Sequence, residues 1–144
     1  MMKLTEYRLV LTVPAGETSV LDYFAKPIRG IVRAIEVEFT NSTPASSSDR
    51  DVNIYEMNPF DDDDINDALQ ELLNIGTLGA APADDNGVYY PNTYAQDETG
   101  LDLTYDATRK IPTPFVLYGR KIGVSVTAAA EGDITTIKLI VEER

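Results

Sequence analysis

The densest chemistry-bearing feature of this chain is an unbroken run of four aspartates at positions 61–64. Calcium is the ion such a run suggests, because it takes roughly six to eight hard oxygen ligands. Asp61, Asp63 and Asp64 are the candidate ligands, with Asp67 and then Glu71 following in the chain. The spacing argues against a site. It lacks the alternation of an EF-hand loop, and adjacent carboxylates point in different directions and cannot all reach one ion. A helix-capping, solubilising charge run explains the same residues, so no bound metal is expected. Asp84-Asp85-Asn86-Gly87 has the flavour of a calcium-loop start, but no Glu follows at the right distance, and it reads as a turn.

Other chemistry is excluded more firmly. The chain has no His and no Cys. Imidazole acid–base pairs, Ser–His relays, His–metal sites, thiolate nucleophiles, Cys-ligated zinc and disulfides therefore cannot be built. Paired carboxylates hydrolyse glycosides, but with 24 acidic residues some pair will always lie at a suitable distance, and there is no Trp to line a sugar groove. Gly30, Gly76, Gly79, Gly100 and Gly119 stand singly, so no phosphate-cradling loop is present. The expectation is a protein that is not an enzyme and carries no cofactor.

The aromatic residues gather in the same region as the acids: Tyr55, Phe60, Tyr89, Tyr90, Tyr94 and Tyr105, then Phe115 and Tyr118. Tyr brings rigid area and a polar tip to an interface. The first six are the interface candidates. Core packing beneath a long loop is the competing reading.

The elements that must position these residues differ along the chain. The 144 residues fit one domain. Their net charge is −12 and the sequence pI is about 4.2, a balance that repels nucleic-acid phosphates and anionic lipid. No run approaches the ~20 apolar residues of a membrane helix, and the N-terminus shows no secretory h-region. A soluble protein made in the cytoplasm is expected. The charge is uneven: residues 49–106 hold 15 acids and one base, Arg50, leaving a near-neutral framework on either side.

The framework reads as strands. Tyr7, Leu9, Leu11 and Val13 alternate with Arg8, Val10 and Thr12, and Pro14-Ala15-Gly16 closes the run. Ile31, Ile35, Val37 and Phe39 alternate with Glu36, Glu38 and Thr40, with Arg33 falling on the apolar face. Val52 and Ile54 fit a short strand. Ile122, Val124 and Val126 and then Ile137, Leu139 and Val141, on either side of Gly132-Asp133, predict a hairpin. In the acidic middle, Ile65, Ala68, Leu69, Leu72 and Leu73 fall at i, i+3, i+4, i+7 and i+8, which predicts one helix over 65–75, capped by Asp63 or Asp64 and stopped by Gly76. Segments 88–90 and 101–105 read as short edge strands, and 46–48 as a flexible tip. The sum is an all-β chain: an antiparallel β-sandwich, jelly-roll-like, with a long acidic insertion or arm at 58–112 containing one short helix.

Tyr7-Arg8-Leu9-Val10-Leu11-Thr12-Val13-Pro14-Ala15-Gly16, Pro27-Ile28-Arg29-Gly30, Tyr90-Pro91, Asp97-Glu98-Thr99-Gly100 and the ending from Gly119 to Val141 together resemble small β-sandwich virion proteins of tailed bacteriophages, of the head-decoration or capsid-auxiliary kind. The resemblance lies in the order of strands and turns over most of the chain, not in one specific motif. It implies a structural subunit located in the virion, a symmetric homo-oligomer with a trimer favoured, whose partner is the major capsid protein or another virion subunit. The competing class is a sandwich module of a phage tail or surface protein that binds carbohydrate or calcium.

Overall fold

A computed structural model describes residues 2–40, 42, 50–58, 60, 68–78, 87–94, 96, 98–99, 101–104 and 109–143. Among the described residues the β-branched, alternating runs form ten strands: β1 (Lys3–Thr12), β2 (Val20–Tyr23), β3 (Ile28–Thr40), β4 (Arg50–Met57), β5 (Ala68–Leu78), β6 (Gly87–Tyr89), β7 (Asn92–Tyr94), β8 (Pro112–Arg120), β9 (Ile122–Thr127) and β10 (Ile134–Glu143). Every pairing is antiparallel. One sheet runs β1-β10-β3-β8-β7, with β6 also on β3, and the other runs β2-β9-β4-β5. Their facing residues form one apolar core, with Leu11, Ile35, Val37, Ile137 and Leu139 from the first sheet and Val52, Ile54, Ile122, Val124 and Val126 from the second. The architecture is all-β and sandwich-like.

The helix expected over 65–75 is not formed where that segment is described. Residues 68–75 lie in β5, hydrogen-bonded along β4. The cause is bulging. Ile54 faces Leu73 and Tyr55 faces Glu71, which leaves Leu72 as an extra residue, and shifts of the same kind occur near both ends of the β4–β5 ladder. A bulge places successive residues on one side of a strand, so Leu72 is buried and Leu73 also packs against the core. Apolar residues thus recur at three- and four-residue steps, which imitates a helical face. The start of that segment and the aspartate run lie outside the described residues.

The hairpin expected from the last two runs is also not formed. β9 lies between β2 and β4, whereas β10 lies between β1 and β3 in the other sheet. The intervening residues make a corner held from outside: Val13 N–H donates to Asp133 O, Gly132 N–H to Val13 O, and Ala129 N–H to Thr18 O. Both strands have fully buried inward residues, so each needs a different face of the same core.

Arg33 escapes its apolar neighbours by a bulge of its own in the β3–β10 ladder. Val32 faces Val141 and Ala34 faces Ile140, leaving Arg33 unopposed and turned to the outer face, where it pairs with Glu142. The strands within 58–112 are incorporated in both sheets, β5 on β4, β6 on β3 and β7 on β8. Segment 101–104 contributes isolated bridges, Gln96 to Asp102 and Thr104 to Lys110, in place of a strand.

The inward face of β4 reads Arg50, Val52, Ile54, Glu56, with a buried charge at each end. Arg50 Nη2 lies 2.9 Å from Asp133 Oδ2, and its guanidinium stacks 4.9 Å from the Phe39 ring centroid. Asp133 also accepts from Ser42 N–H (2.9 Å) and Ala130 N–H (3.0 Å). At the opposite end Glu56 accepts from Arg120 Nη1 (2.8 Å) and Tyr118 N–H. Removing one partner of a buried pair strands the other charge, so Asp133→Ala is expected to lower stability by about 3–5 kcal/mol, read from urea unfolding. Gly30, at φ 138°, leaves no room for a side chain: a Cβ there would collide with Glu142 O and lie 2.7 Å from Val141 Cγ1. Gly30→Ala is expected to destabilise by at least about 1–3 kcal/mol in the same assay, and an unchanged midpoint would count against this packing.

Candidate interaction surface

Those of the six aromatic interface candidates that are described fall on different parts of the fold. Tyr55 belongs to the four-stranded sheet, whereas Tyr89 in β6 and Tyr94 in β7 belong to the six-stranded sheet. Tyr89 opposes Ile35 and packs against the core, so it serves the core. Tyr90 follows it and is 75% exposed, and Phe60 is 96% exposed, with its N–H on Asn58 Oδ1. Tyr105 and the calcium candidates Asp61, Asp63, Asp64 and Asp67 lie outside the described residues. Among the described residues no three His, Cys, Asp or Glu side chains gather as metal ligands, and no helix is long and apolar enough to cross a membrane.

On the outer face of the four-stranded sheet the register sets Tyr23, Gly123 and Tyr55 in one row, with Glu71 opposite Tyr55. Lys121 Nζ sits 4.1 Å over the Tyr23 ring. Partial burial, then the Glu71 charge and its hydrogen bond, raise the Tyr55 phenol above its ordinary pKa, against a smaller opposing bond from Asn53.

The outer face of the six-stranded sheet carries two open grooves. One, of about 300 Å³, lies among Glu36, Glu38, Val88, Thr136 and Lys138. The other, of about 340 Å³, lies among Met2, Lys3, Leu4, Arg33 and Glu142. Leu4, Val10, Val88 and Tyr118 project on this face and are exposed. Reading the sequence for aromatic clusters overlooked the β1 members. The usable signal was Val10, an apolar residue standing in the polar register of the first strand.

At the end of β1 and β10, Glu143 accepts hydrogen bonds from Tyr7 Oη and from Thr5 Oγ1, the latter at 3.0 Å. The bonds from Tyr7 and Thr5 hold the Glu143 carboxyl below its ordinary range. The bond to Glu143, with some burial and the carboxylate charge, pushes the Tyr7 phenol up to about 12.

No protein-family model matches the chain, and no curated protein matches it in sequence.

The Tyr7–Glu143 contact makes stability depend on pH at both extremes. The raised phenol contributes stability that is complete below its ordinary value of 10 and is lost as the pH climbs through 12. The depressed carboxyl contributes stability present above 4.5 and lost as the pH falls through its lower folded value. Tyr7→Phe is expected to remove the alkaline contribution and return Glu143 toward its ordinary pKa. Urea midpoints across pH and carboxyl NMR titration read both effects; an identical alkaline limb in the variant would refute the assignment.

Proposed function

We propose that the protein is a non-enzymatic virion structural subunit, a jelly-roll sandwich that binds the outside of a capsid as a decoration and stabilising protein. The observation that carries this reading is the strand order. β1-β10-β3-β8 opposes β2-β9-β4-β5, and the chain changes sheet at each step from β1 to β4 and again from β8 to β10. This order corresponds to the double Greek key of an eight-stranded jelly roll, an architecture shared by viral capsid proteins, and so supports the reading. It agrees with the resemblance of the strand and turn sequence to phage head-decoration proteins. The absence of His and Cys from the sequence supports a structural rather than a catalytic role. The partner is the major capsid protein or a neighbouring virion subunit, the location is the virion, and a homo-oligomer built on a three-fold contact, which by itself would give a trimer, is the functional unit. Exposed Phe60 and Tyr90 are suited to contact the shell.

A second reading is favoured by one observation, the Tyr23–Gly123–Tyr55 row. Jelly rolls also occur as lectins, and rings flanking a glycine suit a sugar. Co-sedimentation with purified heads of the encoding phage separates the two. Saturable binding that is indifferent to chelator is expected. No binding to heads, together with glycan-array hits abolished by Tyr55→Ala, would replace the capsid reading with the carbohydrate one.

A further inference from the structure

Besides β1, four strands pair on one side only among the described residues, and all four are poorly suited to accept another strand; β6 has three residues. β2 has four residues, β7 has three, and β5 is broken by three register shifts against β4. Short or bulged edges of this kind resist pairing with other chains. β1 is different. It runs ten residues in unbroken register with β10, contains no Pro, and pairs with no other strand among the described residues.

The main-chain groups on its free side can be identified. Val13 donates its N–H to Asp133 (3.0 Å) and its carbonyl accepts from Gly132 N–H (2.9 Å), so Val13 points toward the β10 side. Strand alternation then directs the N–H and C=O groups of Leu4, Glu6, Arg8 and Val10 to the open edge. The side chains of these same four residues share the outer face, and all are exposed. Read in order they are apolar, acidic, basic, apolar. Reversed, as an antiparallel partner would present them, they are apolar, basic, acidic, apolar.

We infer that β1 pairs with β1 of a second copy of this chain about a two-fold axis at Tyr7, joining two six-stranded sheets into one. In this register Leu4 opposes Val10 of the second copy and Glu6 opposes Arg8 of the second copy, and each pairing occurs twice. All four are of the hydrogen-bonded type, giving about eight main-chain hydrogen bonds. The charges match beyond the pair itself. Within one chain Arg8 stands directly opposite Lys138, a like-charge neighbour, and neither Glu6 nor Arg8 makes an ion pair among the described residues. The incoming Glu6 lies beside Arg8 on the side away from Lys138 and offsets that repulsion at Arg8. This contact is between copies of the chain and stands apart from capsid binding. By itself it gives a dimer, and combined with a three-fold contact elsewhere it gives six chains.

The test is the native mass by light scattering across a concentration series, for the wild type, Glu6→Arg, Arg8→Glu and the double variant, with circular dichroism confirming the fold of each. An even-numbered assembly is expected. Each single substitution should weaken the two-fold step by about tenfold or more, and the double substitution, which restores the opposed charges in reverse, should return to within about twofold of the wild type. Tyr7→Cys fixes the register, because residues opposed at the axis of a non-hydrogen-bonded pair are close enough for a disulfide and the chain has no other Cys; a covalent dimer on oxidation is expected. A wild-type monomer at about 100 μM, a trimer, or an even assembly insensitive to both single substitutions would overturn the inference. None of those outcomes alters the co-sedimentation result that decides the capsid reading.

Discussion

The buried pair of Arg50 and Asp133 is the constraint around which one end of this molecule is arranged. Two charges removed from water are costly, and only good geometry and further hydrogen bonds compensate. Here the guanidinium lies against Phe39 and the carboxylate receives two main-chain N–H groups. Those N–H groups belong to Ser42, beyond the end of β3, and Ala130, in the β9–β10 corner. One ionic contact therefore joins the first residue of β4 to two of the places where the chain passes between sheets. Glu56 and Arg120 do the corresponding work at the far end of the same strand. The apolar stretch between them, Val52 and Ile54, is fully buried. β4 is thus a core strand with polar anchors, and its register is defined by charge as well as by packing.

The β-bulges are the second organising feature. Each shifts which residues face the core without changing the sequence around it. At Arg33 the shift expels a cation from the interior and hands it to Glu142. At Leu72 it brings two neighbouring leucines onto the buried side. It also makes β5 an irregular edge, in contrast to the unbroken β1. The two sheets therefore present different margins to solvent, one disrupted and one regular, and this asymmetry is what makes a specific edge contact possible.

The function proposed for the protein places its demands on surface rather than on a cavity. The grooves are open, and the exposed apolar side chains, although four of them share the outer face of the six-stranded sheet, also occur elsewhere on the surface, at Leu21, Phe60 and Tyr90. Such a distribution suits a subunit held by several modest contacts to neighbours, where avidity from a symmetric assembly supplies strength that no single contact provides.

The sequence by itself determined the class of fold and much of the interior. Alternation of β-branched residues located β1, β3, β4, β9 and β10, and the missing His and Cys excluded whole families of chemistry. Periodicity is a local property, and these inferences needed nothing more. It misled where two local readings coincide: a bulged strand and a helix both place apolar residues at three- and four-residue steps, so the segment holding Leu69, Leu72 and Leu73 was open to either. Which strands become neighbours was decided only in three dimensions. The runs around Gly132 and Asp133 look like a hairpin, yet they part into different sheets because Asp133 is claimed by Arg50, 83 residues earlier in the chain. The described aromatic candidates fall on different sheets for the same reason, since proximity along the chain does not specify the sheet on which a strand will lie. The charge pattern of β1 was written in the sequence throughout, but its meaning depended on that strand being an edge.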